Sequence, residues 1–302
     1  MINLRTLLNS YNMDLNISNE IIDLFTNKGV SIKKLSKIYH FNQGTISNML
    51  KSYGIKVVPH EIKINENIFD EIDTEEKAYW LGFLYADGTI SSQSPNKRSR
   101  FEVKLALKYS DISHLKKFNV FMEYKGMNLK AISQNSTLGI KWAISNKHLW
   151  ETLNNLGCVP KKSLILKYPD ISIFKNKNFI FDFIRGYNDG DGCISYSVCN
   201  DKVSPRVSMV GTRDFLSGVQ KALGNIGYLY DKGKYCTFSI GSRKDIEKYF
   251  SLTYDNPSIY LDRKYDRAKF FMSGEKSASK WKDFLIKEKE LEKSILTNYP
   301  NI

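Results

Sequence analysis

The chain has 302 residues, with 45 lysines and arginines against 32 aspartates and glutamates, and a formal net charge of +13 at pH 7. Hydrophobic residues at 42% and aromatic residues at 13% exclude a disordered chain and suffice for cores in two or three domains. The sequence has no apolar run near the ~20 residues of a membrane span, no signal-peptide core and no disulfide framework among its four cysteines. We therefore expect an intracellular protein without membrane association, and the positive charge favours a nucleic-acid partner.

Residues 1–58 predict a small helical domain. An apolar stripe is followed by a break at Gly29, and Ser31 and Asn42 can each cap a following helix. Two short helices joined by a short turn are typical of a helix-turn-helix motif, whose second helix enters the major groove of DNA. The alternative is a trihelical packing unit without DNA contact. The candidate DNA-binding residues on the polar face of the second helix are Gln43, Thr45, Ser47 and Lys51.

The rest of the sequence divides into a linker, two similar halves and a tail. Residues 59–74 form an acidic linker. After it, the order helix–strand–strand–helix–strand–strand–helix occurs twice, which indicates an internal duplication. We place the two halves at 75–170 and 171–274. Residues 275–302 predict a charged helix with one apolar face, to which we assign no chemistry.

Each half begins with an apolar helix that ends in Asp-Gly, AYWLGFLYADG at 78–88 and FDFIRGYNDGDG at 181–192. Asp87 and Asp191 are 104 residues apart (191 − 87). Small residues recur four apart in each helix, so each has a smooth stripe along which the two helices can cross closely. In such a crossing the two carboxylates meet, and the glycine after each aspartate ends its helix in the left-handed conformation.

Two aspartates at converging helix ends predict a cation site. Unpaired carbonyls already give the C-terminal end of a helix a partial negative charge, to which each carboxylate adds. Oxygen ligands of this kind select a hard divalent cation such as Mg²⁺. The alternative is that each aspartate only supports its own turn, but their matching register favours the metal site.

The segments WLGFLYADG and IRGYNDGDG resemble the paired dodecapeptide motifs of LAGLIDADG homing endonucleases, over about 200 residues from Asp73 to Met272. The resemblance implies an α+β fold of two pseudo-symmetric αββαββα half-domains that form a DNA-binding saddle, with the helix-turn-helix domain added. It also implies magnesium-dependent hydrolysis of both strands of double-stranded DNA at a long specific target site, leaving a staggered cut with 3′ extensions. A monomer with no obligatory protein partner, in the cytoplasm or nucleoid of a microbial or phage-infected cell, would do this.

The same resemblance implies roles for residues of the two motifs. Asp87 and Asp191 correspond to the catalytic metal ligands, and the backbone carbonyls of Ala86 and Gly190 can assist them. Asp189 occupies a further acidic position inside the second motif. We interpret that position as structural, because the first motif has no acid there.

Two lysines near the ends of the halves, Lys162 and Lys264, are 102 residues apart (264 − 162). They resemble the lysines that approach the scissile phosphates in this family, where a cation stabilises charge in the transition state. An ordinary role in positioning phosphates is the alternative. The adjacent basic residues Lys161 and Arg263 leave the assignment within each pair open.

Strands of the two halves are expected to read DNA, because alternate residues of a strand share one face. Lys108, at the end of a predicted strand, matches a water-organising position of the family, and we take Gly211 as its counterpart. That departure predicts unequal use of the two half-sites. The DNA-binding candidates of the two halves are Arg98, Arg100, Lys104, Lys108, Lys141, Arg206 and Arg213.

Two other functions stay open at this point. The first is an RNA intron maturase on the same scaffold. The second is a catalytically silent DNA-binding transcription regulator. Retention of both aspartates favours cleavage over regulation, but it does not separate a nuclease from a protein that is also a maturase.

Overall fold

The chain divides into two compact units, Met1–Ile62 and Lys63–Ile302. Their structure, a computed structural model, describes residues 13–28, 30–55, 57, 64–92, 101–124, 129–134 and 137–297. Among the helices in these ranges, none combines the length and the apolar composition that a membrane span requires.

Three helices are described in the first unit: α1 (Leu15–Thr26), α2 (Ile32–Tyr39) and α3 (Gln43–Ser52). The side chains of Ser31 and Asn42 cap α2 and α3 by accepting from backbone N–H groups three residues ahead, at 3.3 and 2.7 Å. His40, in the turn between α2 and α3, has a left-handed φ of 58°, where glycine is favoured. The three helices enclose a separate core that includes Leu35 and Ile46.

The second unit repeats one αββαββα pattern. The first copy consists of α4 (Glu75–Ala86), β1 (Gly88–Ile90), β2 (Glu102–Lys108), α5 (Ile112–Phe121), β3 (Leu129–Gln134), β4 (Thr137–Ser145) and α6 (Lys147–Asn155). The second copy consists of α7 (Phe179–Asp191), β5 (Gly192–Cys199), β6 (Lys202–Gly211), α8 (Arg213–Ala222), β7 (Tyr228–Asp231), β8 (Cys236–Ile240) and α9 (Arg243–Thr253). Helices α10 (Asp262–Met272) and α11 (Ala278–Thr297) follow. The predicted α+β class with a duplicated half is confirmed.

Each half forms one antiparallel four-stranded sheet, with strand orders β1-β2-β4-β3 and β5-β6-β8-β7. Gly88 pairs with Leu105, and Gly192 pairs with Met209, so the first two strands of each sheet share one register at an offset of 104 residues (192 − 88 and 209 − 105). Buried residues alternate with more accessible ones along β2 and β6. One face of each sheet therefore packs on the core, and the opposite face is available to polar side chains.

Helices α4 and α7 cross along their small residues. A Cβ added at Gly82 would overlap the backbone carbonyl of Phe183, and a Cβ added at Gly186 would overlap that of Tyr79. Only glycine at these two positions allows the backbones to approach this closely. Helix α4 is buried on all sides from Ala78 onward, which explains why its apolar residues show no helical periodicity.

The expectation that left-handed glycines end these two helices is wrong. Gly192 has φ −92° and ψ 173°, which is extended backbone, and Gly88 is not among the glycines with positive φ. Both residues are instead the first residues of strands. A Cβ at Gly88 would overlap the backbone of Leu84, and a Cβ at Gly192 would overlap Asn188. Glycine is needed there because each strand starts against the last turn of its own helix.

The last helix, α11, packs beside α10 and the edge strand β5. Trp281 is buried, with its ring centroid 4.0 Å from that of Tyr196 on β5 and 5.1 Å from that of Phe270 on α10. Farther along α11, Glu288 binds the guanidinium of Arg267 at 2.6 Å. The C-terminal helix is thus attached by an aromatic contact at its start and by ion pairs along its length.

We expect Gly186→Ala to lower the free energy of unfolding of the full chain by about 3 kcal/mol, because the added methyl group would overlap the Tyr79 carbonyl. Gly241→Ala is the matched control, since no atom lies within 4 Å of a Cβ at that position. Urea denaturation followed by circular dichroism measures both variants. A Gly186→Ala protein as stable as the control would contradict the close helix crossing.

Candidate active site

The C-terminal ends of α4 and α7 bring one aspartate from each half into a single site. A Cβ added at Gly190 would overlap that of Ala86 and would lie 3.3 Å from Oδ2 of Asp87. The Asp87 carboxylate therefore contacts the last turn of α7, of which Asp191 is the final residue. The predicted pair of carboxylates is placed together, as the matching register of the two motifs requires.

Ionisation of this carboxylate pair is less favourable than that of exposed aspartates. Burial, followed by repulsion from Asp191, raises the pKa of Asp87 to about 6, although Lys264 and Lys162 act in the opposite direction. Partial burial also raises the pKa of Asp191, again against the two lysines. The two lysines therefore do not fully offset the cost of ionisation, and a further cation beside the carboxylates would favour their ionised form.

Lys162 and Lys264 bind equivalent backbone positions at the two helix ends. The ammonium of Lys162 donates to the carbonyl of Gly88, and that of Lys264 donates to the carbonyl of Gly192 at 2.6 Å. Because Gly88 and Gly192 are equivalent in the two halves, the lysines are equivalent too, although they come from dissimilar segments. Burial lowers the pKa of both lysines, to about 8 for Lys264.

Lys264 is the more enclosed of the two lysines. It is 3% exposed, and its ammonium also donates to the carbonyls of Asn188 at 2.5 Å and Asp189 at 2.7 Å. A cation on these carbonyls neutralises the negative end of α7. From this position Lys264 would have to leave several hydrogen bonds before its ammonium could contact a phosphate directly.

The basic neighbours of these lysines have other positions. Lys161 is exposed and has a left-handed φ of 56°, in the turn that precedes Lys162. Arg263 binds the carboxylate of Asp111 through Nε and Nη2, both at 3.1 Å. Within each adjacent pair, Lys162 and Lys264 are therefore the residues that reach the helix ends.

Asp189 is buried and holds several elements together. Its carboxylate accepts from the hydroxyls of Tyr79 at 2.8 Å and Tyr254 at 2.5 Å, and from the backbone N–H of Leu261 at 2.8 Å. Burial raises the pKa of Asp189, against the nearby charge of Lys264. These contacts link α4, α7 and the segment before α10, which agrees with the structural interpretation of this position.

Lys108 lies at the end of β2 and forms an ion pair with the C-terminal helix. Its Nζ is 2.9 Å from Oε1 of Glu292 on α11, so this helix, to which we assigned no chemistry, neutralises a predicted DNA-binding lysine. The choice of Gly211 as the counterpart of Lys108 is wrong. The offset of 104 residues makes Thr212 the counterpart (108 + 104), whereas a Cβ at Gly211 would lie 2.9 Å from the hydroxyl of Tyr187.

The other DNA-binding candidates of the second unit lie at the start of a helix, on strands or outside the described residues. Arg213 begins α8 and forms an exposed ion pair at 2.8 Å with Asp231, the last residue of β7. Arg98 and Arg100 lie outside the described residues. The candidates on strands β2, β4 and β6 are Lys104, Lys141 and Arg206.

In the first unit the four candidates belong to α3. Gln43 and Lys51 are exposed, and Ser47 is half-buried. The hydroxyl of Thr45 donates to Oδ1 of Asn42 at 2.9 Å, so this side chain takes part in the cap of α3. The structure thus leaves Gln43 and Lys51 as the most accessible of the predicted contacts.

Sequence reasoning missed two charged side chains that lie beside predicted DNA-binding lysines of the second unit. Lys130 on β3 lies directly opposite Lys141 on β4, and its place in a predicted strand could have made it a candidate. Glu292 contacts Lys108 across 184 residues of sequence, and no local pattern indicates that contact.

The donors at the helix ends fit a hard divalent cation. In the described ranges no three His, Cys, Asp or Glu side chains come together as a metal cluster. The candidate ligands are the carboxylates of Asp87 and Asp191 and the carbonyl of Ala86, whereas the Gly190 carbonyl lies 3.4 Å from the Lys264 ammonium. All are oxygen atoms, and Mg²⁺ characteristically completes such a set with water and phosphate oxygens.

We expect Asp87→Asn to stabilise the protein by on the order of 2 kcal/mol at neutral pH in EDTA. The folded protein binds a proton at Asp87 more tightly than the unfolded chain does, so ionisation costs stability as the pH rises from 3.8 to about 6. The gain should be absent at pH values below this window and complete above it.

Urea denaturation of wild type, Asp87→Asn and the control Asp255→Asn, an exposed aspartate, over this pH range measures the effect. A stability difference that does not change with pH would show that the Asp87 carboxyl titrates normally.

Comparison with known proteins gives a likeness of fold. No protein-family model and no curated protein matches the sequence. The LAGLIDADG meganuclease I-AabMI bound to uncleaved DNA is 14% identical, with a TM-score of 0.47 over 72% of this chain and 97% of that one. I-LtrWI bound to target DNA is 15% identical, with a TM-score of 0.44 over 77% and 95% of the two chains. Both solved structures are LAGLIDADG nucleases, of the family that the two motifs of this chain resemble.

Proposed function

We propose that this protein is a site-specific endonuclease that hydrolyses both strands of double-stranded DNA with Mg²⁺. The observation that carries the proposal is the meeting of Asp87 and Asp191 at the ends of two crossing helices, one from each half. A purely structural pair of carboxylates would be expected to have a permanent partner of opposite charge. Instead, the lysines at this site bind backbone carbonyls, and the pKa of Asp87 stays raised.

In the proposed reaction Asp87, Asp191 and the carbonyl of Ala86 hold the divalent cation. When bound, the cation would lower the pKa of a coordinated water and neutralise charge on the scissile phosphates. Lys162 and Lys264 are the proposed catalytic lysines, because each ammonium lies at a helix end beside the carboxylates. Their positive charge stabilises the negative charge that develops on phosphate oxygens in the transition state.

One chain supplies both half-sites in this proposal. The two halves have the same fold and present equivalent lysines, so a monomer can act on one phosphate in each strand without a protein partner. The proposed product is a staggered cut with 3′ extensions at a long target site. The net charge of +13 supports binding to a polyanion, and that binding should weaken with salt.

We expect Asp87→Asn and Asp191→Asn each to reduce double-strand cleavage at least about 1000-fold while duplex binding is retained, since each change removes a charged ligand and leaves the surface intact. The substrate is a duplex selected by the protein from a random-sequence pool. Cleavage is measured in Mg²⁺ and binding in Ca²⁺, with Asp255→Asn as the control. Wild-type cleavage of both strands by either variant would refute the assignment.

Duplex binding and cleavage, together with RNA binding, separate the regulator and the maturase from the nuclease. A wild-type protein that binds duplex DNA in both ions but never nicks it would be a regulator. Tighter binding to a structured intron RNA than to any duplex would indicate a maturase.

We also propose that α3 in the first unit contacts DNA. The full-chain variant Gln43→Ala with Lys51→Gln should bind duplex DNA at least about 10-fold more weakly, because both side chains are exposed on α3. Its cleavage rate at saturating protein should match the wild type, because the carboxylates lie in the second unit. A slower rate at saturation, or unchanged affinity, would contradict this role of α3.

A further inference from the structure

The exposed faces of the two sheets carry different chemistry at equivalent positions. In the first sheet, pairing places Leu105, Trp142 and Leu129 side by side on neighbouring strands. The equivalent row in the second sheet is Met209, Phe238 and Leu229. Counting from these rows, every lysine on the outward positions of the first sheet has a hydroxyl residue as its counterpart. The pairs on strands are Lys104 with Ser208, Lys130 with Tyr230 and Lys141 with Thr237. The counterpart of Lys108, Thr212, follows β6 and caps α8.

Two of these lysines lack a carboxylate partner within the described part of the chain. Lys104 is paired with Glu102 at 2.8 Å, and Lys108 is paired with Glu292. Lys130 and Lys141 instead lie directly opposite each other on β3 and β4. Like charges at directly opposed positions of a sheet repel, so an anion lying across them is favoured.

On its outer strands β7 and β8 the second sheet presents neutral polar groups instead, whereas Lys202 and Arg206 on β6 are exposed cations. Tyr228 and Tyr230 on its edge strand are 69% and 50% exposed, which is unusual for large aromatic side chains. Their neighbours across the β7–β8 pairing are Ser239 and Thr237. Hydroxyl groups both donate and accept hydrogen bonds, so they can contact the edges of bases without releasing counterions.

We propose that the outer strand pairs of the two sheets, β3–β4 and β7–β8, divide the work of DNA binding. The β3–β4 pair binds phosphates through Lys130 and Lys141 and so contributes to the salt-dependent affinity of the strand surface. The β7–β8 pair reads base edges through its hydroxyl groups and supplies selectivity over its half of the target without adding to the salt dependence. This division rests on the proposed function only in taking duplex DNA as the ligand.

The test exchanges residues between equivalent positions of the full chain. One variant combines Lys130→Tyr with Lys141→Thr, the reciprocal variant combines Tyr230→Lys with Thr237→Lys, and the control combines Lys116→Gln with Lys244→Gln on exposed helix positions. The Kd for a duplex of random sequence is measured in EDTA over a series of NaCl concentrations. The slope of log Kd against log salt should fall by about 2 in the first variant and rise by about 2 in the reciprocal one, while the control changes little.

Selection of bound duplexes from a random pool measures base preference. The first exchange should leave the selected sequence unchanged, whereas the reciprocal exchange should erase the preference over one half. If the lysine exchange erases a preference, or if both exchanges leave the slope unchanged, the proposed division is wrong. Lys130→Gln with Lys141→Gln repeats the slope measurement if thermal unfolding shows that an exchanged protein is destabilised.

The results also distinguish this inference from the proposed function. Salt slopes that change as expected in a protein that never cleaves DNA would support the division and refute the nuclease. Cleavage of DNA with unchanged salt slopes would support the nuclease and refute the division. A wild-type chain that does not bind duplex DNA in EDTA would overturn the division directly.

Discussion

The contact between the backbones of α4 and α7 determines the rest of the second unit. Gly82 and Gly186 have no side chains that would separate the two helices. The helix ends therefore meet and bring Asp87 and Asp191 together. Each helix leads into the first strand of its own sheet, so the same contact also fixes where the two sheets start. The candidate site and the placement of the two sheets thus derive from one packing constraint.

Meeting helix ends concentrate negative charge, and the molecule compensates for it unequally on its two sides. Lys162 comes from a short turn after α6, whereas Lys264 comes from α10, which the first half lacks. The second lysine is enclosed by carbonyls and lies close to the buried Asp189. The two equivalent lysines are therefore held by different structural elements. The pseudo-symmetry of the backbone does not extend to the electrostatics of the site.

Local patterns in the sequence predicted the features that depend on local physics. Capping side chains at Ser31 and Asn42, the duplicated order of elements and the register of the two Asp-Gly motifs all follow from short-range rules. The contact of Glu292 with Lys108 depends on packing between distant segments, and a single sequence does not reveal it. Likewise, Thr212 replaces Gly211 as the counterpart of Lys108 only when the strand pairing is known, since a shift of one residue reverses the face.

Neither Asp87 nor Asp191 is followed by a connecting loop, because Gly88 and Gly192 already belong to strands β1 and β5. Each carboxylate therefore lies where a helix continues directly into a strand, with no loop between the two. Any tilt of a central helix is transmitted to the first strand of the adjacent sheet, and a shift of that strand displaces the carboxylate. Changes in the outer strands therefore leave the two carboxylates in place only while these two junctions stay fixed.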